Sequence, residues 1–132
     1  MKQPIGELQV DDEEWLARFV LHRDHVRADG TVKPDAFIPY KKVEMSVTRH
    51  LDLEDQGVWA AGELVARQRD RPLVGRADAQ SKVYVDQGLR VIPKPLADNP
   101  NHADVIDWPS DKPLQKQIAL LIASRARYKP KP

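Results

Sequence analysis

The chain has 132 residues, 41% of them hydrophobic and 31% charged, which suits one domain with one modest core. Its 21 Lys+Arg and 20 Asp+Glu nearly cancel, which argues against a uniformly basic nucleic-acid-binding surface. The chain has no cysteine, so disulfides, zinc–thiolate sites and thiol nucleophiles are excluded.

The N-terminal part predicts a helix followed by irregular extended chain. Acidic residues before Trp15 suit the first turn of a helix, and the apolar residues between Trp15 and Val20 then share one face. This helix should end near His22. Pro34 and Pro39 bracket the next apolar stretch, for which we expect an extended segment outside any central strand.

The middle of the chain predicts a strand and then a helix. Residues 44–49 alternate between apolar and polar side chains and contain β-branched residues, as a strand does. Acidic residues from Asp52 onward suit a helix N-terminus, and the run to Arg69 contains good helix formers before Pro72 ends it.

Residues 78–92 permit two interpretations. In the first, residues 82–85 and 89–92 form a hairpin, with Gly88 in the left-handed turn position. In the second, Asp78 caps a short helix that ends at Gly88, and one strand follows. We favour the helix because it continues the alternation of helices and strands, although the β-branched residues favour the hairpin.

The C-terminal third predicts a strand, a helix and a frayed tail. A proline-rich loop precedes a short strand at residues 103–108, and apolar residues at helical spacing follow from Leu114 to Ala126. Residues 127–132 are basic and contain no acid, so we expect them to be frayed. Residues 1–132 should therefore form a single compact α+β domain, with three or four helices packed on a small sheet of about three short strands.

Four short segments spread over most of the chain resemble those of a group of small bacterial proteins without an assigned activity. They are AFIP at 36–39, SVTR at 46–49, NPNHADV at 99–105 and WP at 108–109. The resemblance implies a bacterial, cytoplasmic protein and supplies no active-site residue.

His25, Arg49, His102 and Asp104 are the candidate catalytic residues. An imidazole can transfer protons, an arginine can hold a phosphate, and Asp104 can orient the ring of His102 from the same side of a strand. If they converged, these side chains would form a metal-independent site for phosphodiester cleavage. The structural alternative is a solvated helix end for His25, a salt bridge for Arg49 and hydrogen bonds to loop backbone for His102.

Two groups of basic residues are candidate anion-binding or nucleic-acid-binding surfaces. They are Arg67, Arg69 and Arg71 near the C-terminus of the middle helix, and Arg125, Arg127 and Lys129 near the C-terminus of the chain. Together they have the charge needed to hold a phosphate backbone. Ordinary solvated helix ends explain both groups equally well.

The function that we expect is that of a small cytoplasmic binding or interaction module that assists a larger protein partner. The alternatives are a metal-independent phosphodiester-cleaving enzyme and a nucleic-acid-binding module. The chain has no phosphate-binding glycine loop, nucleophile elbow or metal signature, so we predict neither a cofactor nor a metal. It also has no apolar run long enough for a membrane helix, so we expect no membrane contact.

Overall fold

Six antiparallel strands form one sheet at the centre of the protein. The computed structural model describes residues 9–39 and 44–132. The strands are β1 (Trp15–Val20), β2 (Met45–Arg49), β3 (Gly75–Gln80), β4 (Arg90–Pro93), β5 (His102–Ile106) and β6 (Arg127–Pro130). Their order is β4-β5-β2-β1-β3-β6, and every neighbouring pair is antiparallel. The protein is an α+β domain as expected, but the prediction of about three short strands is wrong.

Three α-helices accompany the sheet within the described ranges. They are α1 (Asp55–Gln68), α2 (Ser81–Val85) and α3 (Lys112–Arg125). Gly62 of α1 lies against Phe19 on one face of the sheet, whereas α3 contributes Ala119 and Ile122 to the main core on the other face. The predictions of β2, of α1, of a strand at β5 and of the last helix are confirmed.

Strand β1 replaces the helix predicted to end near His22. It pairs with β3 along its whole length, from Trp15 opposite Gln80 to Val20 opposite Gly75. Leu16 and Ala17 point to opposite faces of β1 and are both 0% exposed, so this strand is buried on both faces and its apolar residues do not alternate cleanly with polar ones. The same six residues therefore satisfy the spacing of an amphipathic helix, and only the pairing with both neighbours distinguishes the two structures.

The segment from 75 to 93 forms strand, helix and strand. The favoured interpretation of a helix followed by one strand is confirmed, with α2 and β4 in those places. Asp78 is not the helix cap, because it lies inside β3. The strand β3 escaped prediction because GRADAQ lacks β-branched residues. Its Ala77 and Ala79 are completely buried, so these two positions of β3 need small side chains.

The C-terminal residues form the edge strand β6 in place of the frayed tail that we expected. The strand pairs with β3. Lys129 in β6 and Lys131 just after it form ion pairs with acidic residues of α1. Lys129 Nζ lies 3.8 Å from a carboxylate oxygen of Asp55, and Lys131 Nζ lies 2.7 Å from one of Glu63. These acids come from a helix about 70 residues earlier, so the local sequence gives no sign of them.

Gly75 allows β6 to approach β3. A Cβ atom at this position would lie 2.6 Å from the carbonyl oxygen of Lys129 and would also meet the hydroxyl of Tyr128. We expect Gly75→Ala to displace β6 and to lower the free energy of unfolding by roughly 2 kcal/mol. Urea denaturation measures this loss, and hydrogen exchange should show weaker protection of the β6 amides. Unchanged protection of β6 would contradict the close approach.

A buried ion-pair network joins α1 to the sheet. The side chain of Arg76 is 1% exposed; its Nε lies 3.1 Å from Asp78 Oδ2, and its Nη2 pairs with Asp55 at the start of α1. The Arg76 guanidinium also stacks on Trp59, 4.7 Å from the ring centroid. The second oxygen of Asp78 lies 3.2 Å from His50 Nε2. Each charge in this network has a partner, so we assign it a structural role.

Candidate functional site

A small cleft opens where β1 and β2 separate, beside the C-terminal end of α1. The two strands pair at Leu16 and Ala17, where the ladder ends. Arg18 follows in the chain, and its Nε donates to the carbonyl oxygen of Ala36 at 2.9 Å. Its Nη1 donates to the carbonyl oxygen of Ser46 at 3.0 Å. These two bonds fix the guanidinium where the two strands separate, and Arg18 is one of the residues that line the cleft.

The lining of the cleft combines cationic and polar residues with apolar ones. Its polar members are Arg18, Ser46, Thr48, Arg69 and His102. Among the residues that the structure describes, no aspartate or glutamate lines it, and its apolar lining includes Phe19, Leu21 and Val65. The volume of about 30 Å³ is enough for roughly two waters or one small oxyanion.

Arg18 and Arg69 place two positive charges close together. Burial lowers the pKa of Arg18 to about 10, and the charge of Arg69 acts in the same direction. Neither residue forms a salt bridge with any carboxylate in the part of the chain that the structure describes. The two arginines therefore bring positive charge to the cleft, and no carboxylate among the described residues pairs with either of them.

His102 forms the β5 side of the cleft. Its Nδ1 lies 2.9 Å from the carbonyl oxygen of Lys94, which can only accept, so Nδ1 carries a proton. Its Nε2 lies 3.5 Å from Asp104 Oδ1, and the other oxygen of Asp104 lies 3.3 Å from Lys94 Nζ. The two residues that the sequence placed on one side of a strand do meet, and His102 also bonds loop backbone.

Arg49 lies outside this cleft. It is 3% exposed, and its Nε and Nη2 donate to the Glu14 carboxylate at 2.6 Å and 2.8 Å. Its neighbour Thr48 pairs in register with His102. Because alternate residues of a strand point to opposite faces, the side chains of Arg49 and His102 lie on opposite sides of the sheet.

His25 lies in the short 3₁₀ turn Arg23–His25 and does not line the cleft. Its ring centroid is 4.7 Å from that of His22. Burial lowers the pKa of His25, and the neighbouring His22 acts in the same direction. The structure therefore does not assemble His25, Arg49 and His102 into one site.

The basic residues occupy different environments. Arg69 lines the cleft, Arg67 is exposed outside it, and Arg71 lies 2.7 Å from His22 Nδ1. In the C-terminal group, Arg125 pairs with Asp86, Arg127 stacks on Trp15, and Lys129 pairs with Asp55. The C-terminal group thus takes part in contacts that hold the fold together, whereas Arg69 faces the cleft.

Arg18, Ser46 and Thr48 line the cleft but were not among the predicted site residues. Arg18 is a single cation among the apolar residues of β1, and its position there is itself a signal. A charge in a strand buried on both faces needs compensation. That signal was hidden because the segment was interpreted as a helix, in which Arg18 would face solvent.

Within residues 9–39 and 44–132, no group of three His, Asp or Glu side chains is placed to hold a metal ion. No helix in the same ranges has the length and apolar character needed to cross a membrane.

No family model matches the chain, and neither a curated protein nor a solved structure matches it.

Proposed function

We propose that this protein is a binding module, and that the cleft between β1, β2 and α1 holds the anionic group of its ligand. The observation that carries the proposal is the lining, in which the described residues bring together Arg18, Arg69 and His102 without a carboxylate. A bound oxyanion supplies the missing counter-charge and accepts charge-assisted hydrogen bonds from the guanidiniums.

The hydroxyl of Thr48 adds a neutral donor. Its oxygen accepts a hydrogen bond from Asn99 Nδ2 at 3.1 Å, which leaves its own proton available for an acceptor in the cleft. The volume of about 30 Å³ suits a small anionic group such as phosphate, sulfate or carboxylate. The anionic end of a ligand therefore enters the cleft, and the apolar wall at Phe19 and Val65 contacts the adjoining part.

Binding is better supported than catalysis. Cleavage of a phosphodiester without a metal generally needs a group that removes a proton and another that donates one. The cleft contains one imidazole, that of His102, and both of its nitrogens already face partners. Nucleic-acid binding has less support still, because the C-terminal basic group is engaged in ion pairs and stacking.

Titration with inorganic phosphate, followed by amide chemical shifts, tests the proposal. The amides of residues 46–48 and 102 should shift, and Arg69→Gln should weaken binding about tenfold, because it removes a charge-assisted hydrogen bond. Arg67→Gln is the matched control. It removes the same charge from the same helix end but outside the cleft, so its Kd should change less than about twofold.

Two outcomes contradict the proposal. One is the absence of shifts at the cleft residues with phosphate, sulfate and acetate alike. The other is an equal loss of affinity in Arg69→Gln and Arg67→Gln, since this would show a general effect of charge and no defined site. Comparison of the three anions identifies which oxyanion class the cleft prefers.

A further inference from the structure

A larger pocket lies between α3, β6 and the turn at residues 27–32. Its volume is about 330 Å³, which is within the usual range of small-ligand sites. This space is equivalent to roughly ten waters, or to a ligand of about ten non-hydrogen atoms. The residues that line it include one cation, Arg27, one aromatic ring, Tyr128, and the apolar side chains of Leu120 and Ala123.

The hydroxyl groups that line this pocket are engaged by the protein itself. Thr31 Oγ1 donates to Asp29 Oδ1 at 2.6 Å, and Ser124 Oγ donates to a backbone carbonyl oxygen of its own helix at 2.7 Å. Tyr128 donates to the carbonyl oxygen of Val74 at 3.3 Å. Because each hydroxyl has one proton, none of the three offers a donor to a ligand. The pocket therefore suits a ligand with an apolar body.

Arg27 is the charged residue among those that line the pocket. Its Nη1 donates to Thr31 Oγ1 at 3.3 Å and to the carbonyl oxygen of Val32 at 3.1 Å, which fixes the guanidinium against the turn. Within residues 9–39 and 44–132, its Nε and Nη2 have no hydrogen-bond acceptor. The nearby carboxylate of Asp29 is held by Thr31 and does not line the pocket. Two nitrogens of one planar guanidinium match the two oxygens of a carboxylate.

We propose that this pocket binds a small aromatic carboxylate. The carboxylate pairs with Nε and Nη2 of Arg27, and the ring of the ligand packs against Tyr128, Leu120 and Ala123. Aromatic rings make favourable offset or edge-to-face contacts with each other, which favours a ring over an alkyl chain. An amino acid fits less well, because no described carboxylate lines the pocket to pair with its ammonium group.

The pocket is separate from the anion-binding cleft. Among the described residues, none that lines the cleft also lines this pocket, so failure of one proposal leaves the other standing. Each site has its own arginines, which allows substitutions to remove charge from one site at a time. Arg27→Gln removes charge from the pocket, and Arg69→Gln removes it from the cleft.

Titration with phenylacetate, followed by amide chemical shifts, tests the proposal. The amides of residues 30–32 and 123–126 should shift, and Arg27→Gln should weaken binding at least about tenfold, because it removes the paired charge. Arg125→Gln is the matched control. Arg125 pairs with Asp86 and does not line the pocket, so its replacement should change the Kd less than about twofold, as should Arg69→Gln.

A second pair of variants tests the space without changing charge. Ser124→Leu places a larger side chain in the pocket from an exposed position of α3, so it should weaken phenylacetate binding at least about tenfold while the protein stays folded. Gln117→Leu places the same side chain at an exposed position of α3 outside the pocket and should leave the Kd unchanged.

Two related compounds separate the contributions of the charge and the ring. Phenylacetamide has the ring without the charge, and acetate has the charge without the ring, so each should bind this pocket at least about tenfold more weakly than phenylacetate. Equal affinity for phenylacetate and phenylacetamide overturns the proposal. So do the absence of shifts at the pocket residues, shifts confined to the cleft, and equal effects of the two leucine variants or of Arg27→Gln and Arg125→Gln.

Discussion

Asp78→Ala should lower the free energy of unfolding by roughly 3–5 kcal/mol, because it removes one partner from a buried ion-pair network. Asp78 is 4% exposed and receives hydrogen bonds from Arg76 Nε at 3.1 Å and His50 Nε2 at 3.2 Å. Without this carboxylate, the Arg76 side chain, only 1% exposed, has only the exposed Asp55 as an acidic partner among the residues that the structure describes. Urea denaturation followed by tryptophan fluorescence measures the loss.

Asp86→Ala is the control for this substitution. Asp86 pairs with Arg125 at 2.9 Å, but its side chain is 54% exposed, so its removal should cost less than about 1 kcal/mol. Arg76→Met added to Asp78→Ala should recover much of the stability, because the buried charge then disappears as well. A cost for Asp78→Ala as small as that for Asp86→Ala would contradict the buried network.

Arg18→Met should weaken phosphate binding at least about thirtyfold, while the protein stays folded. Arg18 is the more buried of the two arginines that line the cleft, and methionine fills similar space without charge. The variant loses hydrogen bonds to the carbonyl oxygens of Ala36 and Ser46, each contributing about 1 kcal/mol. Removing a partly buried cation that Arg69 repels offsets this cost.

Arg18→Lys completes the test. It keeps the cation but cannot donate to both carbonyl groups and an anion with the same planar geometry, so we expect an intermediate loss of about tenfold. Phosphate titration and thermal unfolding of the three proteins give affinity and stability separately. Wild-type affinity in the methionine variant would exclude the cleft as the phosphate site and with it the proposed function.

Prediction from the sequence succeeded where the signal is local. The helices α1 and α3 have amphipathic periodicity and suitable termini, and β2 alternates between apolar and polar side chains. The contact between His102 and Asp104 also follows from local geometry, because residues two apart in a strand share a face. The bacterial origin and the cytoplasmic location stay predictions.

Prediction failed where distant segments decide the outcome. Strand β1 is buried on both faces, so its periodicity does not separate helix from strand, and β3 lacks strand-forming residues because small side chains are needed there. Strand β6 is ordered by pairing with β3 and by acids of α1. The cleft depends on the same long-range pairing, because only the sheet brings Arg18, Arg69 and His102 together.

The sequence by itself determined the class of the domain, the absence of cysteine chemistry and the elements whose stability comes from their own apolar periodicity. The tertiary structure alone decided the number of strands, the partners of the buried charges and the position of the cleft. The physical reason is that a helix forms its hydrogen bonds within one segment, whereas a strand forms them with neighbours that the local sequence does not specify.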